Sequence, residues 1–216
     1  MFLTFEGIEG SGKSTIMERM AAQLHTQGLF VRMTREPGGT AFGREVRRLL
    51  LDTRSAGFSA QAELLLFLAD RAQHLQEVIL PALGEGAILL CDRYADSTLA
   101  YQGYGRGMPL DLLTGLIEFA TGGLWPDMTL LFDLPAELGL ARAWERNQAE
   151  GAEVSEGRFE AEDLAFHQRV RAGYLEIAAQ HPGRYAVVDA SAPTDAVLRQ
   201  SLGLTRERLA VFRSGI

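Results

Sequence analysis

The sequence predicts an α/β fold of three layers, in which a parallel sheet of five strands is flanked by helices. Short β-rich runs alternate with longer amphipathic runs along the chain, a pattern typical of consecutive βαβ units. Its 216 residues, 47% of them hydrophobic, suffice for one well-buried core and are too few for two. Residues 1–216 are therefore expected to form a single domain. The strand candidates are residues 2–6, 29–34, 87–91, 128–133 and 184–189.

Helices are expected wherever apolar residues recur with helical spacing between these strands. Polar and charged residues directly follow the first three strand candidates. Because parallel sheets of this kind bind ligands at the carboxyl ends of their strands, these residues are the first candidates for a site. The predicted helices are residues 14–27, 41–51, 60–80, 95–102, 110–121, 136–147, 160–180 and 194–201.

The most specific feature is the phosphate loop, residues 7–14 with the sequence GIEGSGKS, which matches the motif G-x-x-x-x-G-K-[ST]. Such a loop turns backbone N–H groups around a polyphosphate, and the positive end of the following helix adds to the binding. A β-rich run precedes the motif and an amphipathic run follows it, as the motif requires. We therefore expect a P-loop NTPase fold. The ATP-binding residues expected here are Gly7, Ile8, Glu9, Gly10, Ser11, Gly12, Lys13, Ser14 and Thr15.

Lys13 is the only lysine among the 21 lysine and arginine residues of the chain. A thin ammonium stem can lie along a looped backbone and touch phosphate oxygens as a point charge, whereas a planar guanidinium cannot. Because the lone lysine is used here, an N-K-x-D element is impossible, which argues against a GTPase. Among phosphate-loop proteins, an ATP-driven machine or switch and a small kinase with a second site for an acceptor remain. The hydroxyl of Ser14 is expected to bind Mg²⁺.

Composition excludes several other classes of protein. The formal net charge of −7 offers no basic field to attract a nucleic-acid backbone, so no nucleic-acid partner is expected. No apolar run approaches the roughly 18 residues that span a bilayer, and Glu6 and Glu9 stand where a signal sequence would be basic and then apolar. We expect no membrane partner and a cytoplasmic location. Cys91 is the only cysteine, which excludes an intramolecular disulfide and a cysteine-built zinc site.

Six motifs, the phosphate loop and five others, give a more specific indication when they are taken in order. They are residues 7–15, TREPGGT at 34–40, FLADR at 67–71, DRY at 92–94, STLAYQG at 97–103 and GRG at 105–107. Together they resemble the bacterial thymidylate kinases, a family of P-loop nucleoside monophosphate kinases, over nearly the whole chain. The resemblance implies transfer of the γ-phosphoryl group of ATP to dTMP, with Mg²⁺ as cofactor, and a homodimer. A P-loop ATPase acting as a regulatory switch, or a kinase for another nucleoside monophosphate, are the alternatives.

This reaction needs no general base, because a phosphate monoester has its second pKa near 6 and is largely dianionic at neutral pH. The protein has to hold two polyanions in line and offset the charge on the transferring group. The resemblance implies that Glu9 faces the acceptor and holds Arg93 and the 3′-hydroxyl of dTMP, while Arg93 grips the dTMP phosphate. From the residues alone, Glu9 as a solvated loop residue stays open. Asp92 is expected to orient Mg²⁺ with Ser14, and Asp133 is a rival for that role.

The resemblance also implies a set of dTMP contacts beyond Glu9 and Arg93. Phe67 and Arg71 lie four residues apart and share a helix face, which places one ring to stack on a base and one guanidinium to meet its carbonyl edge. Without the resemblance, Phe67 is a core residue and Arg47 is equally an exposed helix residue. The implied contacts are Glu36, Arg47, Phe67, Arg71, Thr98, Tyr101 and Gln102, with Tyr101 placed to crowd out a 2′-hydroxyl.

Residues 147–157 are rich in alanine, glutamate and glycine and poor in apolar residues, which indicates a mobile surface segment. A lid at about residues 147–158 is therefore expected to bring a cation to the γ-phosphate. The resemblance assigns this catalytic role to Arg158, beside Lys13, Arg93 and Glu9. It places Arg146 on adenine. Arg142 is assigned to ATP as well, although a solvated helix face explains it equally.

Overall fold

Five strands form one parallel sheet in the order β2-β3-β1-β4-β5 in the computed structural model, which describes residues 1–53, 57–149 and 157–214. Helices flank the sheet, so the predicted α/β class with five parallel strands is confirmed. Each strand lies within two residues of its predicted bounds. The strands are β1 (Phe2–Glu6), β2 (Val31–Arg35), β3 (Ile88–Asp92), β4 (Met128–Asp133) and β5 (Tyr185–Asp189).

The three inner strands read as nearly continuous apolar runs because both faces of the sheet are covered. Every residue of β1 is buried, and only the last residue of β3 and of β4 is partly exposed. Phe5 of β1 pairs with Asp92 of β3, so the two strands end side by side. The chain segments that follow β1 and β3 are thereby brought together at the carboxyl edge of the sheet.

Nine α-helices and two π-helical segments connect and cover the strands in the described part of the chain. The helices are α1 (Lys13–Thr26), α2 (Ala41–Leu51), α3 (Ala60–His74), α4 (Leu80–Gly84), α5 (Ala95–Thr98), α6 (Leu110–Thr121), α7 (Ala136–Ala149), α8 (Leu164–Gln180) and α9 (Thr194–Ser214). The π-helical segments are Leu75–Ile79, between α3 and α4, and Leu99–Gly105, after α5. No helix in the described ranges has both the length and the apolar character that crossing a bilayer requires.

Several helices differ from those predicted. The helices predicted over 60–80 and 95–102 both pass into π-helical segments, and two other helices begin or end at different residues. The helix predicted over 160–180 begins at Leu164, because the side chain of Asp163 accepts a hydrogen bond from the N–H of Phe166 and caps the helix. The last helix continues to Ser214 instead of ending at 201, since an apolar face that reaches Leu209 stays buried.

The cap at Asp163 gives a test of local stability. Asp163→Ala removes the acceptor for the Phe166 N–H, which lies 2.6 Å from the carboxylate, and is expected to lower the free energy of unfolding by about 1 kcal/mol. Urea denaturation followed by circular dichroism measures the change. Asp163→Asn retains a capping oxygen and is the control. An unchanged midpoint in the alanine variant would contradict the assignment of this cap.

Candidate active site

The phosphate loop connects β1 to α1 and packs against the end of β4 and the start of α7. At two glycines of the loop, φ is positive and the backbone of a neighbouring segment also lies too close to leave room for a side chain. A Cβ at Gly7, where φ is 139°, would lie 2.5 Å from the carbonyl oxygen of Phe132. A Cβ at Gly10, where φ is 69°, would overlap the carbonyl oxygen of Gly139. A larger residue at either position would therefore distort the loop.

Lys13 folds back over the loop that precedes it. Its Nζ donates to the carbonyl oxygens of Gly7 and Ile8, at 3.0 and 2.9 Å, and to Oγ of Ser11 at 3.2 Å. Burial lowers the pKa of the ammonium from its ordinary value of 10.5 to about 8, an effect to which the nearby Arg93 adds. The ammonium of Lys13 therefore lies inside the loop, where burial disfavours its charged form. A bound anionic ligand would offset this desolvation.

Ser14 and Asp92, the two residues expected to hold Mg²⁺, lie in direct contact. The Ser14 hydroxyl donates to Oδ2 of Asp92 at 2.6 Å. Asp133, the rival for this role, is held instead by Arg171 through two hydrogen bonds of 2.7 and 2.9 Å. The described residues contain no cluster of three or more His, Cys, Asp or Glu side chains that could hold a metal alone. A cation here would therefore share its coordination with phosphate oxygens and water.

Glu9 points into the protein and joins a cluster with Arg93 and Tyr101. Arg93 Nη2 donates to Glu9 Oε1 and to the Tyr101 hydroxyl, both at 3.0 Å, and that hydroxyl donates to Glu9 Oε1 at 2.6 Å. Burial alone would raise the pKa of Glu9, but the charges of Arg93 and Lys13 and the hydrogen bond from Tyr101 hold it well below its usual range. Only 11% of the Glu9 side chain is exposed, so the reading of a solvated loop residue is wrong.

Arg93 itself has a strained backbone, with φ at 67°. It is the one non-glycine residue with positive φ among those described. Its carbonyl oxygen accepts a hydrogen bond from the Cys91 thiol at 3.0 Å. Strained backbone persists where surrounding structure holds it, and such positions concentrate at functional sites. Here the strain directs a guanidinium from the end of β3 toward the phosphate loop.

Arg71 lies at the other end of the site and is almost wholly buried. Its three guanidinium nitrogens donate to Glu36 Oε2 at 2.8 Å, to Thr98 Oγ1 at 2.9 Å and to the carbonyl oxygen of Tyr94 at 2.9 Å. The second oxygen of Glu36 contacts Nδ1 of His74 at 2.8 Å. Arg71 is therefore fixed from three sides, and it presents a rigid edge to the cavity beside it.

One cavity of about 490 Å³ brings most of the predicted site residues together. Its volume is in the usual range for a small-molecule site. Both the loop expected to bind ATP and the residues expected to bind dTMP line it. The predicted residues that line it are Glu9, Gly10, Ser11, Gly12, Lys13, Ser14, Thr15, Glu36, Arg47, Phe67, Arg71, Asp92, Arg93, Thr98, Tyr101, Gln102 and Arg146.

Two predicted arginines do not line that cavity. Arg158 donates to Glu63 Oε2 at 2.7 Å and to the carbonyl oxygen of Leu50, and it lines a second cavity of about 400 Å³. Arg142 donates to the carbonyl oxygen of Ala190 at 2.9 Å. Glu63 also accepts from Arg106, at 3.1 Å. A buried carboxylate therefore holds Arg158 away from the phosphate loop. Most of the expected lid, residues 150–156, lies outside the described residues.

Two histidines and one tyrosine of the site carry no functional signal in the sequence. His74 and His167 have no ligand spacing, and both are fully buried against carboxylates of the cavity. Tyr174, on the same face of α8 as His167, accepts a hydrogen bond from Arg93 Nη1 at 3.2 Å. The spacing of seven residues on one helix was the only available signal, and it is shared by ordinary core positions.

Glu6, the last residue of β1, also supports this cluster, on the side of the core. It too carried no functional signal in the sequence. Its carboxylate accepts from the hydroxyls of Ser97 and Tyr174, at 2.6 and 2.8 Å, and from the N–H of Tyr94 at 2.7 Å. Burial, with a contribution from Asp96, raises its pKa to about 7. A strand residue in an apolar run thus anchors the segment that carries Arg93.

A phosphate loop with its lysine, a serine–aspartate pair and a second cationic cluster in one cavity define a P-loop kinase with room for an acceptor nucleotide. Comparison with known proteins specifies the family. A family model described as thymidylate kinase matches residues 5–200. The chain belongs to the thymidylate kinase family, and its reaction is the phosphorylation of dTMP.

Individual relatives match this chain over more than nine tenths of their lengths. A thymidylate kinase of Desulfovibrio desulfuricans is 56% identical over 200 residues, which are 93% of this chain and 92% of the relative. One of Nitratidesulfovibrio vulgaris is 54% identical over 215 residues, covering 100% of this chain and 96% of the relative. The solved structure of thymidylate kinase from Ehrlichia chaffeensis is 32% identical, with a TM-score of 0.75, and covers 95% of this chain and 98% of that one. The expected resemblance is confirmed, and the regulatory ATPase is set aside.

The lowered pKa of Lys13 predicts proton uptake when ATP binds at high pH. At pH 9 the free enzyme carries a largely neutral Lys13, because its pKa is about 8, and phosphate oxygens restore the charged form. Calorimetric titration with ATP in two buffers of different ionisation enthalpy should therefore show proton uptake at pH 9 and much less at pH 7. Binding of dTMP, which is not assigned to Lys13, is the control. Equal proton uptake at both pH values would contradict this account.

Proposed function

We propose that this chain holds ATP on the phosphate loop and dTMP beside Glu9 and Arg93, and that the phosphoryl group passes between them within the cavity of about 490 Å³. The observation that carries this assignment is the position of the Glu9–Arg93 pair on the same cavity as Lys13. Two cations on opposite sides of the transfer path offset the charge of two polyanions. Catalysis then depends on positioning and electrostatics, because the acceptor phosphate is already a nucleophile.

The cofactor assignment rests on Ser14 and Asp92. Their oxygens converge to 2.6 Å and are the hard ligands that Mg²⁺ prefers. Bound Mg²⁺ would neutralise charge on the phosphate oxygens of ATP. The Ser14 hydroxyl and the Asp92 carboxylate would hold and orient it, directly or through water, while Lys13 binds the phosphates from the loop side.

The recognition of dTMP is assigned to the far end of the cavity. Phe67 is partly buried there and offers a ring to the base, and Arg71, fixed by Glu36, offers a guanidinium edge to a base carbonyl. Gln102 and Thr98 line the same region. The Tyr101 hydroxyl is tied to Glu9, so its ring has little freedom to make room for a 2′-hydroxyl. This rigidity supports a preference for deoxyribose.

Four outer arginines are assigned to the phosphates and to adenine. Arg47 donates to the carbonyl oxygen of Pro37 at 3.1 Å and lines the cavity, which supports a contact with the dTMP phosphate. Arg146 also lines it and supports the adenine side. The proposed catalytic role of Arg158 requires its contacts with Glu63 and Leu50 to break when the lid closes. Arg142 would likewise have to leave Ala190 to reach ATP.

Three wider expectations from the sequence stand as proposals. One is that residues 1–216 act as a single domain with a lid at about 147–158. The second is the homodimer that the family implies. The third is a cytoplasmic location. Sedimentation of the purified protein with and without both nucleotides tests the second of these directly.

The role of Arg93 is tested by removing its charge. Arg93→Ala is expected to lower kcat/KM for dTMP about 10²- to 10³-fold, because a preorganised donor to the transferring group is lost. Steady-state kinetics with ADP release as the readout measures it, and circular dichroism checks the fold. Arg32→Ala removes an exposed arginine paired with Glu85 and is the matched control. Full activity in a folded Arg93→Ala enzyme would refute the acceptor site.

The acceptor preference is tested with a panel of dTMP, dUMP, dCMP and dGMP, each with ATP. We expect the highest kcat/KM for dTMP and little ADP release without an acceptor, since the cavity provides one ring and one fixed guanidinium for a pyrimidine. Faster turnover with a purine nucleotide would contradict the assignment of Phe67 and Arg71. Acceptor-independent ADP release at the same rate would indicate an ATPase.

A further inference from the structure

A fully buried histidine, His167 of α8, lies beside Oε2 of Glu9, the carboxylate oxygen that Arg93 and Tyr101 leave without a hydrogen bond. Its Nδ1 is 3.3 Å from Glu9 Oε2, whereas Arg93 and Tyr101 both bond Oε1. Neither His167 Nδ1 nor Glu9 Oε2 has a hydrogen-bond partner among the described residues. Two buried polar atoms are therefore left to each other, at a distance that a small movement would close into a hydrogen bond.

The other ring nitrogen of His167 also faces an acceptor. Its Nε2 is 3.0 Å from the carbonyl oxygen of Phe159. A neutral imidazole has one donor nitrogen, so it would turn a lone pair either toward the Glu9 carboxylate or toward this carbonyl. The ring thus lies between a carboxylate oxygen and a backbone carbonyl, and it connects Glu9 to the segment that precedes α8.

We propose that His167 is a positioning residue for dTMP, and that it fixes the carboxylate of Glu9 so that Arg93 keeps its orientation toward the acceptor. This rests on the proposed role of Glu9 and Arg93 at the dTMP phosphate. Without a donor at Nδ1, Oε2 of Glu9 is a buried carboxylate oxygen with no partner, which is costly. The carboxylate would then rotate to bring Oε2 onto Arg93 and draw the guanidinium away from dTMP.

The position of Phe159 extends this role to the cavity wall. Its ring lines the cavity and packs against Tyr101, with the ring centroids 5.5 Å apart at 90°. The imidazole of His167 therefore contacts both the carboxylate that holds Arg93 and the backbone of Phe159. The ring of Phe159 packs against Tyr101 in the same cluster. The effect is expected on the acceptor side, because His167 reaches the phosphate loop through Glu9, which is assigned to dTMP.

Two substitutions separate the two contacts of the ring. The amide nitrogen of asparagine can take the place of Nδ1, so His167→Asn retains a donor to Glu9 and loses the one to Phe159. The longer His167→Gln places its amide nitrogen near Nε2 and has the opposite effect. We expect His167→Gln to raise KM for dTMP about tenfold to a hundredfold, the range for loss of a charged hydrogen bond, with KM for ATP unchanged. His167→Asn should recover most of the loss.

Controls distinguish this role from a structural one. His181→Gln, at the exposed end of the same helix, should match the wild type. A rise in KM for both nucleotides, or equal losses in the two His167 variants, would overturn the proposal, because a merely packed ring would act without regard to which nitrogen is replaced. Thermal unfolding of each variant shows whether the fold is retained.

Glu9→Gln separates failure of this inference from failure of the proposed function. If Glu9→Gln leaves KM for dTMP unchanged, the acceptor role of Glu9 is wrong and the role of His167 falls with it. If Glu9→Gln raises that KM but His167→Gln does not, only His167 is wrongly assigned. In the double variant we expect little increase beyond Glu9→Gln alone, because both changes act through one contact.

Discussion

The largely buried ion pair between Glu9 and Arg93 is the interaction on which the site depends. It joins the phosphate loop to the end of β3, and the Tyr101 hydroxyl completes it. Burying two charges is costly unless each remains paired and hydrogen-bonded, and loss of one partner leaves the other uncompensated. The pair therefore fixes the distance between the cation assigned to dTMP and the loop assigned to ATP. Arg93 accepts a strained backbone to reach this position.

The sheet brings these elements together by its topology. Placing β3 directly beside β1 aligns the ends of two parallel strands that are far apart in sequence, and the Ser14–Asp92 contact at 2.6 Å follows from that alignment. Ligands of open α/β sheets bind at this edge, in the crevice outside the carboxyl ends of the strands. Glu6 then secures the segment after β3 from within the core, which explains why a carboxylate is found in an otherwise apolar strand.

Carboxylates in this acidic protein hold arginines at defined positions. Glu36 fixes Arg71 at the base end of the cavity, while Glu63 binds Arg158 and Arg106 outside it. A net charge of −7 is thus compatible with a locally cationic cavity. The placement of Arg158 against Glu63 also explains why the residue assigned to the lid lies away from the phosphate loop in this structure.

The sequence alone determined the succession of strands and helices along the chain, the phosphate loop and the family. These are local patterns in which the spacing of residues dictates the geometry. Lys13 and Ser14 could be assigned from the motif, and the five strands from their apolar runs. Only the tertiary structure decided that Asp92 rather than Asp133 contacts Ser14. It alone also showed His167 against Glu9. Such contacts join residues far apart in sequence, and a buried histidine has the same helical pattern whether it faces a carboxylate or an apolar core.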